Sequence, residues 1–294
     1  MPQIDPSEAS DLSQALAQIP ALATVPPAAW SVARLGGVTN RNYRLRHERL
    51  DYVLRLPGAG AHLYLDREAG FHNAALAAAI GIAPPVLFSD TARGWQLSVF
   101  LPDAVMLQTT DFHDLSILAA IGRVIGRLQA SGVDFRNEMH PFAISDRYLA
   151  LAPESRLLAL RRQAAWLETA LEGASLPLVP SHIDPNPSNF LLQAGDHLSL
   201  IDWEFSAMAD PCWDLAAIAL DNDLSSSEID CLLAAAGYPL NEDMVRRLLQ
   251  MRTALCLVAS SWAFVEIAAG NDAPDLRDFA EQRLAAFAAG LAPA

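Results

Sequence analysis

Lysine is absent from this chain of 294 residues, so all twenty basic side chains are arginine. No Schiff base can form through a lysine amine, and any cationic clamp on a phosphate must be a guanidinium. Cysteine is scarce: Cys212, Cys231 and Cys256 lie far apart, sit among apolar residues and show no metal-binding spacing. They read as reduced core positions of a cytoplasmic protein, not as a disulfide framework. Positive charge is in short supply, 20 basic against 34 acidic residues, for a net charge of −14. That balance argues against nucleic acid and anionic membranes as partners. It is compatible with a cationic ligand, which a negative field concentrates. No basic residue precedes Arg34, which argues against a secretory signal. The longest apolar stretch, near Cys256–Gly270, contains Ser260, Ser261 and Glu266 and reads as too short and too polar to cross a bilayer.

What is present concentrates in Ser181–Trp203, which reads SHIDPNPSNFLLQAGDHLSLIDW. Phe190–Leu192 and Leu198–Ile201 are short apolar runs separated by Ala194–Gly195–Asp196, the pattern of a hairpin. One end of that hairpin carries Asn189 and Asp202, with Asp184 just before it. The set suits phosphoryl transfer, which needs a carboxylate to accept a hydroxyl proton and hard oxygen ligands to hold Mg²⁺ on the phosphates. Asp184 fits the first task, Asn189 and Asp202 the second. The plain alternative is a polar turn between core strands.

Upstream, Trp30–Pro57 breaks into short apolar runs with turn residues between them, predicting antiparallel strands. The first turn contains Gly36, Gly37, Thr39 and Asn40, whose backbone can approach a phosphate closely, although Gly-Gly equally suits an ordinary hairpin. Leu65–Ile80 reads as a helix with Asp66 near its start, Val86–Phe88 and Trp95–Leu101 as strands. Downstream, helices are expected over 111–133, 149–171, 214–221, 241–270 (one or two) and 273–291. The paired Arg161 and Arg162 are expected on a solvated face. Residues 1–27, rich in Ala, Pro and Ser, read as a lead-in segment in which Asp11–Ile19 forms a short helix. Apolar residues make up 52% of the chain, enough for a large core or two lobes.

The sequence His182-Ile183-Asp184, with Asn189 after four more residues and then Ile201-Asp202, resembles the catalytic core of the protein-kinase-like small-molecule kinases. Choline/ethanolamine kinases and aminoglycoside phosphotransferases belong to that group. GGVTNRNYRLR followed by YVLRLPG is similar to the choline kinase branch in motif and spacing. The resemblance implies an α+β, bilobal fold: an N-lobe over 28–101 with a small antiparallel sheet and one main helix, then a mainly helical C-lobe over 102–294. It implies ATP and Mg²⁺ as cofactors and a small cationic alcohol as substrate, choline first, with ethanolamine, thiamine, aminoglycosides or a sugar as alternatives. A pseudokinase that binds without turnover is the alternative of another class.

Residue by residue, the resemblance makes Arg55 the phosphate clamp and Glu68, thirteen residues before Gly81, its partner. Arg55 as a surface strand residue and Glu68 as a complement to the helix dipole are the plainer readings. It places adenine against the backbone of Phe100 and Leu101, and makes Asp214 a brace of the catalytic loop. On the substrate side it implicates Asn186, Glu204, Phe205, Asp221, Trp262 and Phe279. Here the sequence departs from the choline kinases, since Ala259 stands where they carry a first tryptophan, and Gln129 replaces a histidine thought structural. Trp262 and Phe279 serve equally well as core residues, and Asp221 as a solvated acid beside Asp223.

Overall fold

A computed structural model describes residues 6–36, 40–58, 66–173, 176–195 and 197–292. The chain divides into two compact units: residues up to Met106 together with Asn189–Ser206, and Leu107–Ser188 together with residues from Ala207 onward.

The first unit is built on an antiparallel sheet of five strands, β1 (Ser31–Arg34), β2 (Asn40–His47), β3 (Leu50–Pro57), β4 (Val86–Asp90) and β5 (Trp95–Val99), in the order β1-β2-β3-β5-β4. Alternation decides its faces. Tyr43 and Leu45, Leu54 and Leu56, and Leu97 are fully buried on one side. Asn42 and Arg55, paired across β2 and β3, therefore point to the other.

Two helices cover the apolar face. Leu12 and Leu16 of α1 (Pro6–Gln18), Ile19, and Leu22 of α2 (Pro20–Ala23) share one core with Trp30, Tyr43, Leu54 and Leu97. Leu12–Val25 are thus part of this unit's core, not a lead-in to it. Ile19 has no exposed surface. Replacing it with alanine is expected to destabilise this unit by about 2–4 kcal/mol, read as a lower urea midpoint; an unchanged midpoint would show that the N-terminal helices are dispensable.

Helix α3 (Arg67–Ala79) begins where Asp66 caps it by accepting from the Ala69 amide at 3.0 Å. The predicted hairpin forms from Phe190–Gln193 and His197–Leu200, with Phe190 opposite Leu200. The Leu200 amide also donates to the Ile82 carbonyl at 2.7 Å, tying the hairpin to the segment after α3.

The second unit contains α4 (Leu115–Gln129), α5 (Pro141–Leu151), α6 (Ser155–Gln163), α7 (Ala165–Gly173), α8 (Cys212–Asp221), α9 (Ser226–Ala235), α10 (Glu242–Ala268) and α11 (Leu276–Gly290). The single helix expected over 149–171 is three pieces. Pro153 cannot continue α5, and Glu154 caps α6 by accepting from the Arg156 amide. Arg161 is not solvated: it pairs with Asp146 and Glu168 and lies over the Phe142 ring. Helix α10, at 27 residues, is long and apolar enough to cross a membrane by length and composition alone, against the expectation for this stretch. Here Leu248, Met251, Leu255 and Phe264 are buried, and the helix packs on α5, α8 and α11.

Candidate active site

In the first unit, the end of the hairpin brings the expected metal ligands together. The Ile201 amide donates to the Asn189 carbonyl at 3.0 Å, one step beyond the Phe190–Leu200 pair, and Asp202 follows. Asp202 adopts a left-handed backbone (φ 66°), which aspartate tolerates better than most residues. Its Oδ1 lies 3.1 Å from Arg55 Nη1, and that oxygen is buried without an aligned hydrogen bond.

Arg55 points here because its neighbours Leu54 and Leu56 belong to the core. Its second partner is Glu204, whose Oε2 accepts from Arg55 Nη2 and, at 2.7 Å, from Asn40 Nδ2. The carboxylates seen to pair with Arg55 are those of Asp202 and Glu204. Glu68, the partner that the resemblance implied, sits exposed in the first turn of α3. Glu204, expected to face substrate, is nearly buried and engaged with the two nucleotide-side residues. Helix α3 makes this possible. A methyl group at Gly70 would lie only 3.1 Å from the Glu204 Cα, and buried Asn73 donates to the Ser206 carbonyl at 2.9 Å. Sequence reasoning missed Gly70 and Asn73. Their spacing of three on one helix face, a glycine inside an otherwise good helix, was the available signal.

Of the remaining nucleotide-side residues, Gly36 and Asn40 flank a turn whose Gly37 and Thr39 lie outside the described residues. The Gly36 carbonyl accepts from Asn42 Nδ2 at 3.1 Å. The Phe100 amide donates to the Asp51 carbonyl at 3.0 Å, and its ring lies 3.7 Å beneath the Arg44 guanidinium. The Phe100 N–H is therefore already engaged within the sheet.

In the second unit, the loop bearing Asp184 is held in an unusual shape. Ile183 has a φ of 74°, a genuine outlier for a β-branched residue. Three hydrogen bonds hold it there. The Asp214 carboxylate accepts from the His182 and Ile183 amides, each at 2.8 Å, and Trp213 Nε1 donates to the Ile183 carbonyl at 3.1 Å. Asp214 thus braces the loop, as the resemblance implied. Burial pushes its carboxyl up to about 6, against the pull of the two amides. Asp184 itself is partly exposed, and its Oδ2 accepts from Asn186 Nδ2 at 3.0 Å. Asn186, the residue expected on the substrate, thus lies within hydrogen-bonding reach of the Asp184 carboxylate. Buried Gln129 donates to the Pro211 carbonyl at 3.0 Å and accepts from Tyr238 at 2.7 Å, a structural role for the position that differs from the choline kinases.

Three of the substrate-side residues also gather in this unit. Trp262 of α10 and Phe279 of α11 meet edge to face, their ring centroids 6.5 Å apart. Arg283, one turn beyond Phe279, lies 5.1 Å from that ring and pairs with Asp221 at the end of α8 at 2.6 Å. Phe205, in the first unit, is partly buried in the short turn Trp203–Phe205.

The sequence pattern of the phosphotransferase enzyme family matches residues 31–248, about three quarters of the chain. The chain belongs to that family. As a phosphotransferase family member it is 32% identical over 209 residues to the LicA protein of Haemophilus influenzae, a match covering 68% of this chain and 60% of LicA. The chain therefore spans less than two thirds of that relative. A solved structure described as a choline/ethanolamine kinase family protein from Mesorhizobium loti superposes with a TM-score of 0.82 at 28% identity, covering 97% of this chain and 95% of the other. A structure of LicA in complex with AMP superposes with a TM-score of 0.75 at 25% identity, covering 88% and 92%. The fold is thus the kinase-like one that the resemblance implied, a small sheet-bearing unit and a larger helical one.

Proposed function

We propose that this chain transfers the γ-phosphoryl group of ATP to the hydroxyl of a small cationic alcohol, choline before ethanolamine, thiamine or an aminoglycoside. The observation that carries this reading is the Asp184 loop, whose strained backbone is over-determined by Asp214 and Trp213 so that the carboxylate next in the chain is held in a fixed place. The family match, the M. loti structure and the AMP-bound LicA structure support the nucleotide and the alcohol.

In this reading Asp184, oriented by Asn186, hydrogen-bonds the acceptor hydroxyl and takes its proton as the new phosphate ester forms. Arg55, steadied by Glu204, faces the nucleotide phosphates with a planar fork of donors. Asn189 and Asp202 would hold Mg²⁺. The donor set fits a hard cation, since both residues offer oxygen and Asp202 Oδ1 is a buried atom without a hydrogen bond. When bound, Mg²⁺ neutralises charge on the phosphate oxygens. The chain's own contribution is positioning and electrostatics, as expected where the reacting groups do most of the covalent chemistry themselves.

The test is ATP consumption with Mg²⁺ across a panel of choline, ethanolamine, thiamine and an aminoglycoside. Stimulation strongest with choline supports the reading. Nucleotide binding with no stimulation by any member of the panel would favour a binding module instead.

A further inference from the structure

Asp221 and Phe279 offer the two features that hold an ammonium group, a carboxylate and an aromatic face. In this chain both are already engaged by a cation of its own. Arg283 is nearly buried, its guanidinium 2.6 Å from Asp221 Oδ1 and 5.1 Å from the Phe279 ring centroid, while Trp262 closes the edge of that ring. Arg283 lies four residues after Phe279 on α11, so the helix itself aligns ring and charge. Burial pushes the Asp221 carboxyl up and Arg283 draws it back, so the guanidinium helps keep this acid ionised.

We propose that Arg283 is a resident cation of the acceptor pocket, lying where an acceptor's ammonium group would otherwise meet Phe279 and Asp221, and that its charge sets which acceptors the pocket admits. This holds only if Asp221, Trp262 and Phe279 line the acceptor site of the function proposed above. A quaternary ammonium alcohol must then displace the guanidinium or bind beside a like charge, and either lowers its affinity. A neutral alcohol of the same shape meets no such opposition. Arg283 is thus a specificity residue that weakens selection for full positive charge.

The experiment compares the full-length wild type with R283M, R283K and the double variant R283M/D221N. It measures equilibrium binding of tetramethylammonium and of 3,3-dimethylbutan-1-ol, the neutral isostere of choline, and separately choline phosphorylation. R283M is expected to bind tetramethylammonium about tenfold more tightly, with the neutral alcohol changed by no more than about twofold. R283K, which keeps the charge, should stay near the wild type, and R283M/D221N should lose the gain. Equal tetramethylammonium affinity in wild type and R283M would overturn the proposal. So would equal gains for the charged and neutral probes, since that pattern reports added space alone. Should R283M fail to fold, R283Q removes the same charge and carries the same comparison. If the tetramethylammonium pattern holds but no variant phosphorylates choline, choline fails as the acceptor while Arg283 still sets the charge preference of the pocket. If choline is phosphorylated and the pattern is missing, the reverse is true.

Discussion

Asp184→Asn is expected to lower phosphoryl transfer by roughly a thousandfold while leaving ATP affinity within about twofold of the wild type. The two halves of this result have separate physical origins. Asparagine is nearly isosteric with aspartate and can still meet Asn186, so the loop retains its shape. It cannot take up a proton, so the acceptor hydroxyl loses its base. The groups proposed to face the nucleotide, Arg55 with Glu204 and Asp202, belong to a different unit and form their own ion-pair network. A single-turnover assay with an ATP titration reads both quantities. Near-normal transfer in this variant would remove Asp184 from the mechanism.

Asp214→Asn is expected to have the second largest effect, and to act on stability as well as on rate. Each Asp214 oxygen accepts one backbone amide at 2.8 Å. Asparagine keeps one acceptor and turns an NH₂ donor towards the other amide, leaving two donors facing each other inside the protein. Ile183 would lose part of what holds it at a φ of 74°. The expected loss is about 1–3 kcal/mol of stability and about a hundredfold in turnover, because Asp184 is the next residue along the chain.

The pH dependence has a defined sign. Burial raises the Asp214 carboxyl from an ordinary 3.8 to about 6, so the native state holds the proton more tightly than the unfolded chain. Its contribution to stability is therefore complete below about pH 4 and declines as the pH rises through 6, by roughly 3 kcal/mol in all. Wild type should lose stability between pH 4 and pH 7, whereas D214N, which cannot titrate there, should lack that part of the pH dependence. Urea midpoints at pH 4, 5, 6 and 7.5 for both proteins check this. A constant gap across that range would mean that Asp214 does not titrate as described.

The parts of this site that were legible in the sequence are those set by short-range repeats. The short apolar runs of Trp30–Pro57 were enough to place antiparallel strands there, while Arg55 was singled out only through family resemblance. Two apolar runs around a glycine turn were enough to place Asn189 and Asp202 at the same end of a hairpin. The brace from Asp214 was legible through family resemblance, and the structure supplied its partners.

What stayed hidden depends on contacts between distant stretches. The carboxylate closest to Arg55 is 149 residues away in sequence, and nothing local distinguishes Glu204 from Glu68 as its partner. The early helices are short and rich in alanine and proline, which disguised core residues such as Leu12, Leu16, Ile19 and Leu22 as part of a lead-in segment. The role of Arg283 follows from where α8 and α11 meet, and no periodicity within either helix announces it.

The most direct measurement is ³¹P NMR of the intact protein mixed with ATP, Mg²⁺ and choline. The account predicts that the γ-phosphate resonance is replaced by equal amounts of ADP and a phosphomonoester of choline, and that Asp184→Asn leaves the spectrum unchanged over the same time. Persistence of ATP with the wild type, or its conversion to ADP and inorganic phosphate without any phosphorylated alcohol, would contradict it.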